Sequence, residues 1–136
     1  MASHVSGHID LAALQARIND FQAAGRELNL AVAQAISSGR PDATAAARVN
    51  QQLMQVERNW CNPAGIPGRP WFKHSLYAAR YTYAHLELPG LTEAAEAGNW
   101  KVAAEQAKIL QDELVKNTEL LRQTRELLLT PSAPAQ

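Results

Sequence analysis

Apolar residues recur along the first third of the chain at Leu11, Leu14, Ile18, Phe21, Leu28, Val32 and Ile36, at spacings of 3, 4, 3, 7, 4 and 4. An α-helix repeats about every 3.6 residues, so this pattern predicts one long helix with a single inner stripe. Asp10 is placed to cap its first turn through a side-chain oxygen. Gly25 holds the skipped position on the stripe, where a missing side chain would let a neighbouring helix approach. Ser37-Ser38-Gly39 ends the helix, with Gly39 suited to the left-handed residue that follows a helix C-terminus. Pro41 and Asp42 open a second helix carrying Ala45, Val49, Leu53 and Val56 to about Trp60. So short a connection makes the two helices antiparallel neighbours.

The pattern then breaks. Between Asn62 and Gly90 lie four of the seven prolines, three of the seven glycines, all three tyrosines and two of the four histidines. Pro63, Gly65, Pro67, Gly68 and Pro70 exclude continuous helix. The stretch from Trp71 to His85 fits either a short helix or extended turns. Pro89-Gly90 closes the loop. Thr92 is a candidate cap for a short helix over Glu93 to Ala97, stopped by Gly98-Asn99. The last helix begins near Trp100 and runs to about Leu129. Its seam is Trp100, Ala103, Ala107, Leu110, Leu114, Leu121 and Leu128, interrupted by Asn117 and Thr124. The expected fold is all-α: a bundle of three long helices plus a short helix, with a long structured Pro/Gly/aromatic loop. Residues 1–9 read as a flexible lead-in, 10–129 as one domain and 130–136 as a flexible tail.

Composition narrows the function classes. Lys+Arg and Asp+Glu are 13 each in 136 residues. No basic face for nucleic acid or for an anionic membrane surface follows from such a balance. No apolar run approaches the roughly 20 residues of a membrane span. The single cysteine, Cys61, excludes a disulfide framework and reads as a small buried hydrophobe at a helix end. His4, His8, His74 and His85 make no H-E-x-x-H pattern and no acidic residues cluster with them, so no metal site is expected in this domain. A nucleophile–base set is likewise absent from the sequence pattern, and a stand-alone enzyme is not expected.

The loop carries a denser signal than composition. Gly65-Ile66-Pro67-Gly68-Arg69-Pro70-Trp71-Phe72-Lys73-His74, then Leu76-Tyr77-Ala78, then Leu88-Pro89-Gly90-Leu91 ahead of an acidic helix, resembles the transferrin-receptor-like dimerisation domain. That is the C-terminal helical part of glutamate carboxypeptidase II, its bacterial and plant relatives, and the transferrin receptor. The resemblance spans about residues 10–129, with 65–91 distinctive. Two departures stand out: Ala79 follows Tyr77-Ala78 where many relatives have proline, and the stretch from Tyr77 to Pro89 is about two residues shorter than in the carboxypeptidases.

The resemblance implies a non-catalytic module of an M28-type zinc peptidase, working as a homodimer beside the peptidase domain of its own parent chain. Two zinc ions would sit in that other domain, and no cofactor in this one. It also implies a loop that reaches the parent's substrate pocket, with Tyr83 as the counterpart of the carboxylate-holding residue and Tyr81 as second choice. Read from the residues themselves, Arg69, Lys73, His74 and Tyr77 are expected to organise the loop, because a Pro/Gly-rich backbone needs partners for its polar groups. Apolar positions off the main stripes, among them Ile9, Leu30, Val115 and Leu120, offer a second face for a partner. The competing reading is a stand-alone helical ligand-binding or adaptor module that uses the aromatic and basic loop as its own site.

Overall fold

A computed structural model of the chain describes residues 7–40, 42–80 and 84–130. The described residues form four helices and one small antiparallel sheet: α1 (Leu11–Ser37), α2 (Ala43–Asn59), β1 (Tyr77–Ala79), β2 (His85–Glu87), α3 (Pro89–Glu96) and α4 (Trp100–Leu129). It is mostly helical, as the apolar periodicity requires.

Each long helix begins on a side-chain cap. Asp10 Oδ1 accepts from the Ala13 amide at 2.8 Å, Asp42 Oδ1 from Ala45 at 2.8 Å, and Asn99 Oδ1 from Val102 at 3.3 Å. Each bond satisfies one of the amides that a helix N-terminus leaves unpaired. At the far end of α1 the chain turns through Gly39 at φ 71, and the Arg40 amide returns to the Ala35 carbonyl at 2.7 Å. Helix α3 starts earlier than the sequence suggested. Its first residue is Pro89, behind a left-handed Leu88 at φ 46. Proline suits a first turn, since its missing N–H would have had no helical partner there. Thr92 therefore lies inside the helix, and its hydroxyl donates to the Glu87 carbonyl at 2.8 Å.

Helices α1 and α4 run side by side in the same direction. Ile9, just ahead of α1, packs with Ala94, Ala103 and Ala107; Leu14 packs with Trp60, Leu110 and Leu114; Ala24, Leu28, Ala31 and Ala35 pack with Leu121 and Leu128. Helix α2 returns antiparallel, with Val49 in the distal cluster and Trp60, at its end, in the middle one. Alanines at the contacts let the axes approach closely, and each buried leucine contributes about 1.5–3 kcal/mol.

Three positions depart from the expected stripes. Ile36 is 68% exposed, while its neighbour Ala35 is buried. At 100° per residue, Ala35 falls within about 20° of Leu28 around the helix and Ile36 about 80° away. A Cβ on Gly25 would meet Leu121 Cδ1 at 4.0 Å, ordinary contact, so the close approach is made by buried Ala24 instead. Ile9, assigned by its spacing to an outer face, is 4% exposed and belongs to the core.

The two interruptions of the α4 seam are buried rather than turned outward. Asn117 and Thr124 are both 0% exposed. Thr124 returns its hydroxyl to the Leu120 carbonyl at 2.7 Å. Asn117 reaches across to α2, donating to the Val56 carbonyl at 3.2 Å and accepting from Asn59 Nδ2 at 2.8 Å. It thereby satisfies a carbonyl in the last turn of α2, where helical partners run out.

Candidate functional site

The loop sits at the end of the bundle where α2 stops and α4 starts. Its first turn is built on Asn62, whose side chain accepts from the Ala64 amide at 3.0 Å while its carbonyl accepts from Gly65 at 2.9 Å. Gly65 has φ 73, and a Cβ there would collide with the Pro70 backbone. Only glycine meets both demands. The strand-like return closes through the Asn62 amide to the Lys73 carbonyl at 2.8 Å, Ile66 to Phe72 at 3.0 Å and Ser75 to Trp60 at 2.7 Å. Buried Ile66 anchors the turn from within.

The ambiguous stretch after Trp71 is extended. β1 and β2 pair antiparallel with Tyr77 opposite Glu87, Ala78 opposite Leu86 and Ala79 opposite His85. Alternation along β1 turns Ala78 inward and leaves Tyr77 and Ala79 exposed. The connection at 81–83 carries Tyr81 and Tyr83, both of which lie outside the described residues.

Three of the four basic or aromatic loop residues meet acids from the flanking helices, and the fourth, Lys73, meets a loop carbonyl. The Arg69 guanidinium donates to the Ala79 carbonyl and to the Glu93 carboxylate on α3, and lies 4.8 Å from the Phe72 ring centroid. One side chain thus joins the loop, the hairpin and α3. Arg80 makes a second link to α3 through the Glu96 carboxylate, which its hydrogen bond holds below the usual carboxylate range. Lys73 Nζ donates to the Pro63 carbonyl at 2.5 Å. His74 Nδ1 accepts from the Leu76 amide at 3.3 Å, so its Nε2 carries the proton toward Glu57 Oε1 at 3.1 Å. The His74 and Tyr77 rings stack with centroids 4.0 Å apart, and the Tyr77 hydroxyl donates to the same Glu57 oxygen at 3.1 Å.

That last bond has a measurable consequence. The Glu57 hydrogen bond, then its charge, raises the Tyr77 phenol above its ordinary value. A phenol raised in the folded state gives stability below its unfolded pKa, and that stability is lost as pH rises through the folded one. The window lies above about pH 10. Titration of the Tyr77 Cζ resonance should show the elevated midpoint, and Glu57→Gln should return it toward a free phenol. A midpoint indifferent to Glu57→Gln would mean that the contact does not persist in solution.

Several partners were not legible from the sequence. Glu57, Glu93, Glu96, Ser75 and Glu113 carry no motif. The only available signal was the acidic character of the helix behind Pro89-Gly90, opposite a loop rich in arginine. Glu113 is 8% exposed; its Oε1 accepts from the Ser75 hydroxyl at 2.7 Å and its Oε2 has no partner among the described residues. Burial raises its carboxyl above the usual range, against the Ser75 bond and the Lys116 charge. Cys61, expected to be buried, is exposed. Trp60 before it points into the core at 5% exposure, and the turn that ends α2, with the Cys61 amide on the Arg58 carbonyl at 3.1 Å, leaves the Cys61 side chain outside.

The tryptophans divide by role. Trp60 meets Phe21 edge to face at 5.7 Å, Trp100 stacks on His8 at 4.5 Å, and Trp71 stands 69% exposed on the loop. Among the described residues, no three of His, Cys, Asp and Glu converge as a metal site. No described helix is long and apolar enough to cross a membrane.

Comparison with known proteins matches this architecture to a family. The model of the "Transferrin receptor-like dimerisation domain" aligns with residues 9–122. The aminopeptidase NAALADL1 of Rattus norvegicus is 33% identical over 89 residues, covering 65% of this chain and 12% of its own length. An inactive zinc metalloprotease of Schizosaccharomyces pombe is 32% identical over 60 residues, covering 43% of this chain and 8% of its own length. The chain therefore corresponds to a small part of either relative.

Proposed function

The chain belongs to the transferrin receptor-like dimerisation domain family, and we propose that it pairs two subunits of a glutamate carboxypeptidase-like, M28-type zinc peptidase without taking part in bond cleavage itself. The names of the relatives support a peptidase-like parent, one of them inactive. The parent's two zinc ions would lie in a separate peptidase domain.

The observation that carries the reading is apolar surface that no element among the described residues covers. Leu30 and Ile36 on α1, Leu53 and Met54 on α2, and Val115 on α4 are all exposed. Within the bundle these side chains face water. Pairing with a second copy would remove them from it, and a two-fold arrangement is the commonest way to do so. Trp71 adds the residue type most enriched at binding hot spots, held out by a loop that its neighbours immobilise. In this reading Arg69, Lys73, His74 and Tyr77 structure the loop. Tyr83, or failing that Tyr81, is the residue that would hold the substrate carboxylate in the parent's pocket.

Sedimentation equilibrium tests the pairing. The chain should form a dimer at high concentration, with an interface above about 1,000 Å². Met54→Asp and Leu30→Asp, both at exposed positions, should shift it toward monomer without loss of helical circular dichroism. A strict monomer up to about millimolar concentration would set the association of this domain below the −4 kcal/mol scale. The adaptor reading, with the aromatic and basic loop as the binding surface, would then be preferred.

A further inference from the structure

A cleft of about 230 Å³ opens between the end of α2 with the start of the loop and the middle of α4. Asn59, Asn62 and Pro63 form one wall; Ile109, Glu113 and Lys116 form the other. This volume lies below the roughly 300–1,000 Å³ of sites for drug-sized ligands and suits one small amine or one long side chain. No contact of the proposed dimer surface or of the hairpin uses it.

Glu113 is the unusual member. It is more than nine-tenths buried, it lines the cleft, and Oε2 has no hydrogen-bond partner among the described residues. A buried carboxylate oxygen without a donor is costly and calls for a specific account. Its other oxygen is already held by Ser75, which fixes the carboxyl orientation. Asn59 gives its amide N–H to Asn117, which leaves its amide oxygen as a second acceptor beside the cleft. Pro63 and Ile109 supply an apolar flank. Acceptors at one end and hydrocarbon along the side match a ligand with a cationic head and an alkyl stem.

We propose that this cleft binds one organic cation of the alkylguanidinium or alkylammonium class, with Glu113 as its counter-ion and Pro63 and Ile109 against its stem. Oε2 is itself out of reach of solvent, so a cation meets it only when the cleft wall around Glu113 opens locally. Lys116 and the incoming cation would compete for the same field, while Asp112, which also lines the cleft and pairs with Lys108 at 2.7 Å, adds to the negative potential. Burial, the first cause of the raised carboxyl pKa, is a cost that a bound cation would offset. The same chemistry is presented by a free amine and by a lysine or arginine side chain of another polypeptide.

The test is an amide NMR titration of the whole chain with n-butylguanidinium chloride, against sodium chloride at matched ionic strength. Saturable shifts should appear at Asn59, Asn62, Ile109 and Lys116, with a Kd of about 1–10 mM. Glu113→Gln keeps the size and the Ser75 contact but removes the charge, and should weaken binding at least about tenfold. Lys116→Ala should strengthen it by removing the competitor. A short peptide containing one arginine, titrated in parallel, separates the sources. Binding of both ligands indicates a protein side chain as the occupant, and binding of n-butylguanidinium alone indicates a free small cation. Shifts absent from the cleft, or equal in Glu113→Gln, would overturn the proposal. Because the readout is local, loss of dimerisation would not mimic this outcome.

Discussion

Gly65→Ala is expected to destabilise the domain by about 3 kcal/mol, which for a chain of this size lowers Tm by about 10 °C. Two effects add. A non-glycine residue at φ 73 is in the left-handed region, at about 1–2 kcal/mol. The new methyl would also fall onto the Pro70 carbonyl and Cα, which are backbone atoms and cannot swing away. Something must therefore shift, either the 62–65 turn or the Pro70 peptide. Gly68 provides the control. It has φ 79, yet nothing lies within 4 Å of the position a Cβ would take. Gly68→Ala should show only the backbone term, about 1 kcal/mol. Thermal unfolding of the two variants side by side decides the matter: equal losses would mean that the Pro70 contact does not constrain the loop.

Asn117→Ala should be nearly as damaging, at about 2–3 kcal/mol. The side chain is fully buried and serves two partners on α2. Removing it orphans the Val56 carbonyl and the Asn59 amide N–H, and leaves a small void between α2 and α4. Urea unfolding of Asn117→Ala, Asn59→Ala and the double variant separates these terms. The pair should couple by about 1 kcal/mol, since the second substitution removes a donor that the first has already stranded. Strict additivity would show that the Asn59–Asn117 bond contributes nothing.

The helices were legible because burial follows the 3.6-residue repeat, and caps such as Asp10, Asp42 and Asn99 are local chemistry. Ile36 was misplaced because a step of four from Val32 drifts off the stripe that Leu28 and Ala35 share, and Ile9 because spacing does not show what the chain ahead of the helix touches. The seam breaks at Asn117 and Thr124 were visible as anomalies, yet only the position of α2 shows that Asn117 is bonded across the interface. The loop motif was recognisable as a string. The geometry behind it was not, because Arg69 meets Glu93 across 24 residues and Ser75 meets Glu113 across 38. The extended conformation of 77–79 and 85–87 was undecidable from periodicity, since three-residue strands are too short to show alternation.

The pairing of α1 with α4 has a consequence for how the chain acquires its structure. The inner stripe of α1 is covered principally by the last helix, not by the helix that follows it. Leu14 must wait for Leu110 and Leu114, and Leu28 for Leu121. During synthesis the first two helices would emerge with that stripe bare, and closure requires bringing together segments separated by the whole loop and hairpin. Such a chain gains its stability late and all at once. A nascent chain stopped before Leu110 would carry an uncovered apolar helix, the kind of surface that chaperones hold and that aggregates when they do not.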